Sequence, residues 1–115
     1  VLGSRGLGDV YKRQIDAHYR EDISMQDAAA ALRYSDAYFC KLFKQCFKVN
    51  FSAYLNEYRV NKACQLILDP RLSLKDIGAA VGYSDANYFT RVFKRLTGQT
   101  PSEYRMAAAE KAVQG

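Results

Sequence analysis

The chain has little of what metal sites, disulfide frameworks and catalytic centres are built from. Its 115 residues include one histidine and three cysteines, with no Cys-x-x-Cys pair. A structural zinc site needs several sulfur or imidazole donors at short spacing, and a disulfide framework needs an even set of cysteines. Neither fits. Cys40, Cys46 and Cys64 fall inside helical patterns and read as reduced core or surface thiols of a cytoplasmic protein. His18 has no serine, cysteine or carboxylate beside it in a triad-like set, and no glycine-rich loop is shaped to hold a phosphate. An enzyme is therefore not expected, nor is any cofactor or metal. There is no apolar run of about eighteen residues to cross a membrane. No segment has the charged start and apolar run of a signal peptide. With only two prolines and few β-branched residues, alanine-rich segments of three-four periodicity favour helices over strands.

What the chain does have is one segment used twice. SMQDAAAALRYSDAYFCKLFK (Ser24–Lys44) returns as SLKDIGAAVGYSDANYFTRVFK (Ser73–Lys94). At an offset of 49, Ser24, Asp27, Ala30, Ala31, Tyr34, Ser35, Asp36 and Ala37 match Ser73, Asp76, Ala79, Ala80, Tyr83, Ser84, Asp85 and Ala86. One residue is then inserted. At an offset of 50, Tyr38, Phe39, Phe43 and Lys44 match Tyr88, Phe89, Phe93 and Lys94, and the phase continues in Ser52/Ser102 and Tyr54/Tyr104. A duplication of this kind means one supersecondary unit used twice. Between the copies, Phe51, Tyr54, Leu55, Tyr58, Ala63, Leu66 and Ile67 mark one stripe of a helix over 51–68. Asn50 is placed to cap it, Asp69-Pro70 ends it, and it is about 27 Å long at ~1.5 Å per residue.

Each copy predicts helix, short turn, helix. Ser24 and Ser73 are N-caps, with Asp27 and Asp76 at the third position completing a capping box. Met25, Ala28, Ala29 and Leu32 face inward in the first copy, and Ile77 and Val81 in the second. The following helices start at Ser35 or Asp36 and at Ser84 or Asp85. Their inner stripes are Phe39, Leu42, Phe43 and Cys46, and Phe89, Val92, Phe93 and Leu96. Gly98 stops the second. The outer faces carry Ala37, Tyr38, Cys40, Lys41, Lys44 and Lys48, and Asn87, Tyr88, Thr90, Arg91, Lys94 and Arg95. Helix, tight turn, helix with small residues at the crossing is the helix-turn-helix pattern, whose second helix enters the DNA major groove. A helical hairpin with a solvated basic face explains one copy equally well; the same chemistry on both copies favours the groove. Arg91 is suited to guanine and Asn87 to adenine, whereas Lys41, Lys44, Lys94 and Arg95 suit phosphates.

The ends read differently. Residues 1–14, VLGSRGLGDVYKRQ, are glycine-rich and read as a disordered lead. They also resemble the translation of a sequencing adapter, which would make them non-native. The net charge of +5 suits an acidic partner, but Arg5, Lys12 and Arg13 against Asp9 place two of those charges in this lead. A short first helix over Tyr11–Tyr19 turns Ile15 and Tyr19 inward, with Tyr11 able to join them. His18 is solvent-facing or capping. Thr100-Pro101-Ser102 opens a last helix. Its Tyr104 packs on the second unit as Tyr54 packs on the first, and the alanine-rich tail, 107–115, frays.

These residues carry a family likeness. Tyr54-Leu55, Arg59 and Ala63, then Ile77, Val81-Gly82-Tyr83, Asn87-Tyr88-Phe89-Thr90-Arg91, Phe93-Lys94, Gly98, Pro101-Ser102 and Tyr104-Arg105, resemble the DNA-binding domain of AraC/XylS transcription regulators. The resemblance covers about Ile15–Met106. It implies an all-α fold of seven helices: a domain over 15–106, with helix-turn-helix subdomains at 24–48 and 73–98 joined by a central linker helix. It implies double-stranded DNA as partner, with both recognition helices addressing successive major grooves. By position, the base-reading residues are Ala37, Cys40 and Lys41, then Ala86, Asn87, Thr90 and Arg91. Ser35, Tyr38, Lys44, Ser84, Tyr88, Lys94 and Arg95 are expected on phosphates. RNA polymerase is the further partner expected. Most members carry an effector-sensing or dimerising domain, and none is visible here. Two departures stand out. Ala37 and Cys40 are poor base readers, and Gly78 replaces the family's alanine, weakening its helix by up to ~1 kcal/mol. A rival reading is a helical interaction module that binds a protein such as RNA polymerase without reading bases.

Overall fold

The computed structural model describes residues 4–114, and of residues 4–7, 10 and 114 the backbone alone. Seven α-helices are found among them: α1 (Ser4–His18), α2 (Met25–Ala31), α3 (Asp36–Phe47), α4 (Phe51–Leu66), α5 (Leu74–Ala80), α6 (Ala86–Thr97) and α7 (Pro101–Gln114). Their contacts divide the chain into two compact units, one ending at Asn56 and the other starting at Glu57. The division falls inside α4, so each unit takes one end of that helix.

The first unit is built around the inner face of α3. Phe39 and Phe43, one turn apart, are fully buried. The Tyr11 ring of α1 lies 5.1 Å from Phe39 and 5.7 Å from Phe43, edge-on. Phe51 and Tyr54 of α4 close the other side at 5.5 and 5.7 Å from Phe43. Burying one such ring contributes ~1.5–3 kcal/mol. The short α2 starts in a complete capping box: the Asp27 amide donates to Ser24 Oγ and the Ser24 amide to Asp27 Oδ2. Ala29, wholly buried, lets α2 and α3 approach closely.

The lead does not behave as its composition suggests. Helix α1 begins at Ser4, with Tyr11, Ile15 and Tyr19 buried at a spacing of four. Once that stripe is docked, extending the helix backwards costs far less than nucleating it, which carries the glycine-bearing stretch along. Residues 1–3 lie outside the described residues. The tail differs likewise: α7 runs to Gln114 instead of fraying. Its start is fixed by a capping box between Thr100 and Glu103, and alanine then favours propagation.

The second unit repeats the plan. Ser73 caps α5 through the Asp76 amide, Ile77 and Val81 are buried, and Phe89, Val92 and Phe93 form the inner face of α6. Leu96 departs from the expected stripe and is 44% exposed. Tyr104 of α7 packs edge-on against Phe93 at 5.5 Å, as Tyr54 does against Phe43. Thr100 caps α7 as Asn50 caps α4, so the duplication extends to a third helix of each copy. Arg105 has a role that spacing did not suggest. Its guanidinium donates to the Ile67 and Asp69 carbonyls, satisfying acceptors that the end of α4 leaves open.

Gly78 has a packing reason. A Cβ there would lie 2.8 Å from Cδ2 of the buried Phe89, so the missing methyl offsets lost helix propensity with ring contact.

The copies differ most in the backbone. Gly82 and Gly98 take left-handed conformations, φ 108° and 83°, after α5 and α6. At the matching positions after α2 and α3 stand Arg33 and Lys48, φ 59° and 66°. A side chain there costs ~1–2 kcal/mol that glycine avoids. Arg33→Gly and Lys48→Gly each relieve that strain at a cost of ~0.4–1 kcal/mol for the freer unfolded chain, so each is expected to stabilise the first unit by up to ~1 kcal/mol net, raising the midpoint of urea unfolding. Gly98→Ala, which meets no atom within 4 Å, is expected to lower it through strain alone.

Candidate nucleic-acid interface

Because Phe39 and Phe43 point inward, the opposite face of α3 must point outward. Ala37, Cys40, Lys41 and Lys44 follow one another at helical spacing, and all are exposed, as are Ser35 and Tyr38. In the second unit Phe89, Val92 and Phe93 turn Asn87, Thr90, Arg91 and Lys94 outward in the same pattern, with Ala86, Tyr88 and Arg95 exposed beside them. Each unit thus brings most of its expected base and phosphate positions onto the exposed side of one helix, with Ser35 and Ser84 exposed in the turn before it.

The caps correct the correspondence between copies. Ser35 caps α3, its Oγ accepting the Tyr38 amide at 3.2 Å. In α6 the cap is Asp85, whose Oδ1 accepts the Asn87 and Tyr88 amides at 2.9 and 3.3 Å. Up to Tyr34 and Tyr83 the turns run in parallel, since both amides donate to the carbonyl five residues back. Ser84 is therefore the inserted residue and caps nothing, although its sequence match is the capping Ser35. Ala37, Cys40 and Lys41 correspond to Asn87, Thr90 and Arg91. Ala86 instead occupies the position of Asp36, at the rim of a cleft of about 200 Å³ lined also by Leu74, Lys75, Thr90 and Ser102.

The exposed side chains differ in how they are held. Thr90 Oγ1 donates to the Ala86 carbonyl at 3.0 Å, leaving its oxygen as an acceptor. The Arg91 guanidinium lies over the Tyr88 ring, 5.9 Å from its centre. Tyr88 leans on Tyr83 at 5.8 Å, and Tyr83 is buried under the Arg59 guanidinium at 5.3 Å. Burial pushes the Tyr83 phenol up to about 12 against the opposing pull of the Arg59 charge. Arg59 is 8% exposed, the one charged residue buried among those described. Together with the buried Val60, it breaks the apolar stripe expected on α4. An arginine one turn after Leu55 on an otherwise buried face was the signal available for it.

Cys40 is an exposed thiol at one of the expected base positions, while Cys46 and Cys64 are half-buried, and none of the three is in a disulfide. Burial pushes the Cys64 thiol up, and its neighbour is Tyr104. His18 is exposed at the end of α1 with Nδ1 2.6 Å from Glu21 Oε2. Among the described residues no three of His, Cys, Asp and Glu are placed to hold a metal, and no helix is long and apolar enough to cross a membrane.

A family model for a helix-turn-helix domain matches residues 28–107. The regulatory protein PocR of Salmonella typhimurium is 34% identical over 100 residues, covering 87% of this chain and 33% of PocR. The chain thus spans about a third of the length of PocR and of several other regulators it matches, and 12–13% of the length of others. The C-terminal domain of the two-component response regulator yesN from Fusobacterium nucleatum superposes with a TM-score of 0.84 at 30% identity, covering 87% of this chain and 98% of that one. A transcriptional regulator described by its AraC-type DNA-binding domain, from Chromobacterium violaceum, superposes with a TM-score of 0.74 at 31% identity, covering 84% and 87%.

If Lys44 and Lys94 meet phosphates, Lys44→Ala and Lys94→Ala should weaken binding to all duplexes alike. Each should flatten the plot of log K against log salt by about 0.9. An unchanged slope would remove that residue from the phosphate contacts.

Proposed function

The chain belongs to the AraC-type helix-turn-helix family of DNA-binding transcription regulators, and we propose that its α3 and α6 read bases in two adjacent major grooves of one duplex. The observation that carries this reading is the repeated pattern of exposure: one helix in each unit, pinned by two buried aromatic rings, with basic and polar residues on the opposite face. A major groove ~12 Å wide accepts one such helix. On this reading Asn87 and Arg91 discriminate bases, Arg91 through a bidentate bond to guanine and Asn87 through one to adenine. Thr90 offers an acceptor. Ala86, Ala37 and Cys40 offer apolar contact, suited to a thymine methyl, and Lys41 a mobile charge. The second unit therefore carries more of the sequence discrimination. Ser35, Tyr38, Lys44, Ser84, Tyr88, Lys94 and Arg95 would meet the flanking phosphates, setting affinity and register. Contact with RNA polymerase, and control by an effector-sensing domain elsewhere in the whole regulator, complete the proposal.

Selection of bound duplexes from a random pool tests it. The expected product is a motif in two parts about 10 base pairs apart. Arg91→Ala and Asn87→Ala should each relax preference at one base of one part by ~1–3 kcal/mol. Binding without enrichment of any motif, unaffected by either substitution, would instead favour the interaction module.

A further inference from the structure

The contacts behind Arg91 form a column running from the interior of the second unit to its surface. Arg59 and Tyr83 are buried, Tyr88 is 42% exposed, and Arg91 is exposed. The spacings are 5.3 Å from the Arg59 guanidinium to the Tyr83 ring, 5.8 Å between the two rings, and 5.9 Å from the Tyr88 ring to the Arg91 guanidinium. Phe89 also lies against Tyr83 at 5.4 Å, so that ring is gripped on more than one side. Tyr88 and Arg91 are three residues apart on α6 and share a face.

We propose that this column holds the Arg91 guanidinium ready to read its base, making Arg59, Tyr83 and Tyr88 positioning residues for the specificity of the second unit. The proposal rests on the reading of Arg91 as a base contact. Its physical basis is preorganisation. A long, flexible arginine loses rotamer freedom when it binds, and a ring that already restrains it reduces that loss. A tyrosine on the surface of a helix would swing freely. Here Tyr88 leans on a buried ring, which is itself fixed by a buried cation. The first unit has the same pair of rings, Tyr34 and Tyr38 at 5.0 Å, but Lys41 stands where Arg91 stands in the second. Lysine is a point charge without a planar fork to orient, so the device matters where arginine reads the base.

The test compares binding to two duplexes that differ only at the base pair read by Arg91. It uses the wild type, Arg91→Ala, Tyr88→Phe, Tyr88→Leu and the double variant Tyr88→Leu/Arg91→Ala. Tyr88→Phe removes the hydroxyl and its phosphate contact but keeps the ring, so both duplexes should weaken together with their ratio preserved. Tyr88→Leu removes the ring, and the ratio should fall by about two- to fivefold, the size of one exposed cation–π contact. In the Arg91→Ala background Tyr88→Leu should leave the remaining ratio unmoved. Arg59→Gln should shift the ratio in the same direction as Tyr88→Leu. Because Arg59 is buried, its fold is checked by near-ultraviolet circular dichroism, and the decision rests on the two Tyr88 variants. A ratio that survives Tyr88→Leu, or one that still falls when Arg91 is absent, overturns the proposal while the base-reading role of Arg91 stands. A ratio untouched by Arg91→Ala overturns that role, and the column falls with it.

Discussion

Everything at the outward surface depends on how each recognition helix is set about its own axis, and that setting is made by a pair of phenylalanines one turn apart. The rings of Phe39 and Phe43 lie 5.8 Å apart, and so do those of Phe89 and Phe93. Each pair is buried against aromatic or aliphatic neighbours in its own unit. A helix has no freedom to present its polar side anywhere but opposite such an anchor. The exposed row from Ala37 to Lys44, like that from Asn87 to Lys94, is thus a consequence of packing before it is a matter of recognition.

Much of this was legible because the signals are local. Ser24 with Asp27 and Ser73 with Asp76 mark helix starts that need no knowledge of the rest of the chain, and Gly98 marks an end. The phenylalanine spacing reveals which side is inner. Other features are not written locally. Residue identity aligns Ser84 with Ser35, but capping depends on where the helix begins, and the inserted residue passes that task to Asp85. Leu96 has the spacing of a core residue yet lies outside, since spacing assigns a face of the helix but not the packing partner that would cover it. The apolar stripe over 51–68 reads as one face, whereas the helix serves different partners at its two ends: Phe51 and Leu55 in one unit, Arg59, Val60 and Ala63 in the other. Composition misjudged the two termini, since docked helices extend through residues that would not nucleate them.

The two copies share a frame and have diverged in its details. The second has glycine where the backbone turns left-handed, a capping carboxylate ahead of α6, and a buried arginine behind its tyrosine platform. The first makes the same turns with Arg33 and Lys48 and shows small or flexible side chains at the positions proposed to read bases. On the proposed reading, discrimination concentrates where the scaffold is least strained, and the other unit contributes mainly charge. Gly78 shows the same economy: a poor helix former is kept because the ring beneath it leaves no room for a methyl group.

The extra residue in the second turn governs how the two helices correspond. Superimposed at their matching Ser-Asp-Ala triplets, they would stand one residue out of step, a rotation of about 100°. Cys40 would then be set against Phe89 and Lys44 against Phe93, the outer row of one helix on the inner row of the other. Taking the cap as the origin, Ser35 for Asp85, brings both rows into phase. The two copies are thus equivalent counted from where the hydrogen bonding begins, not from where the letters agree.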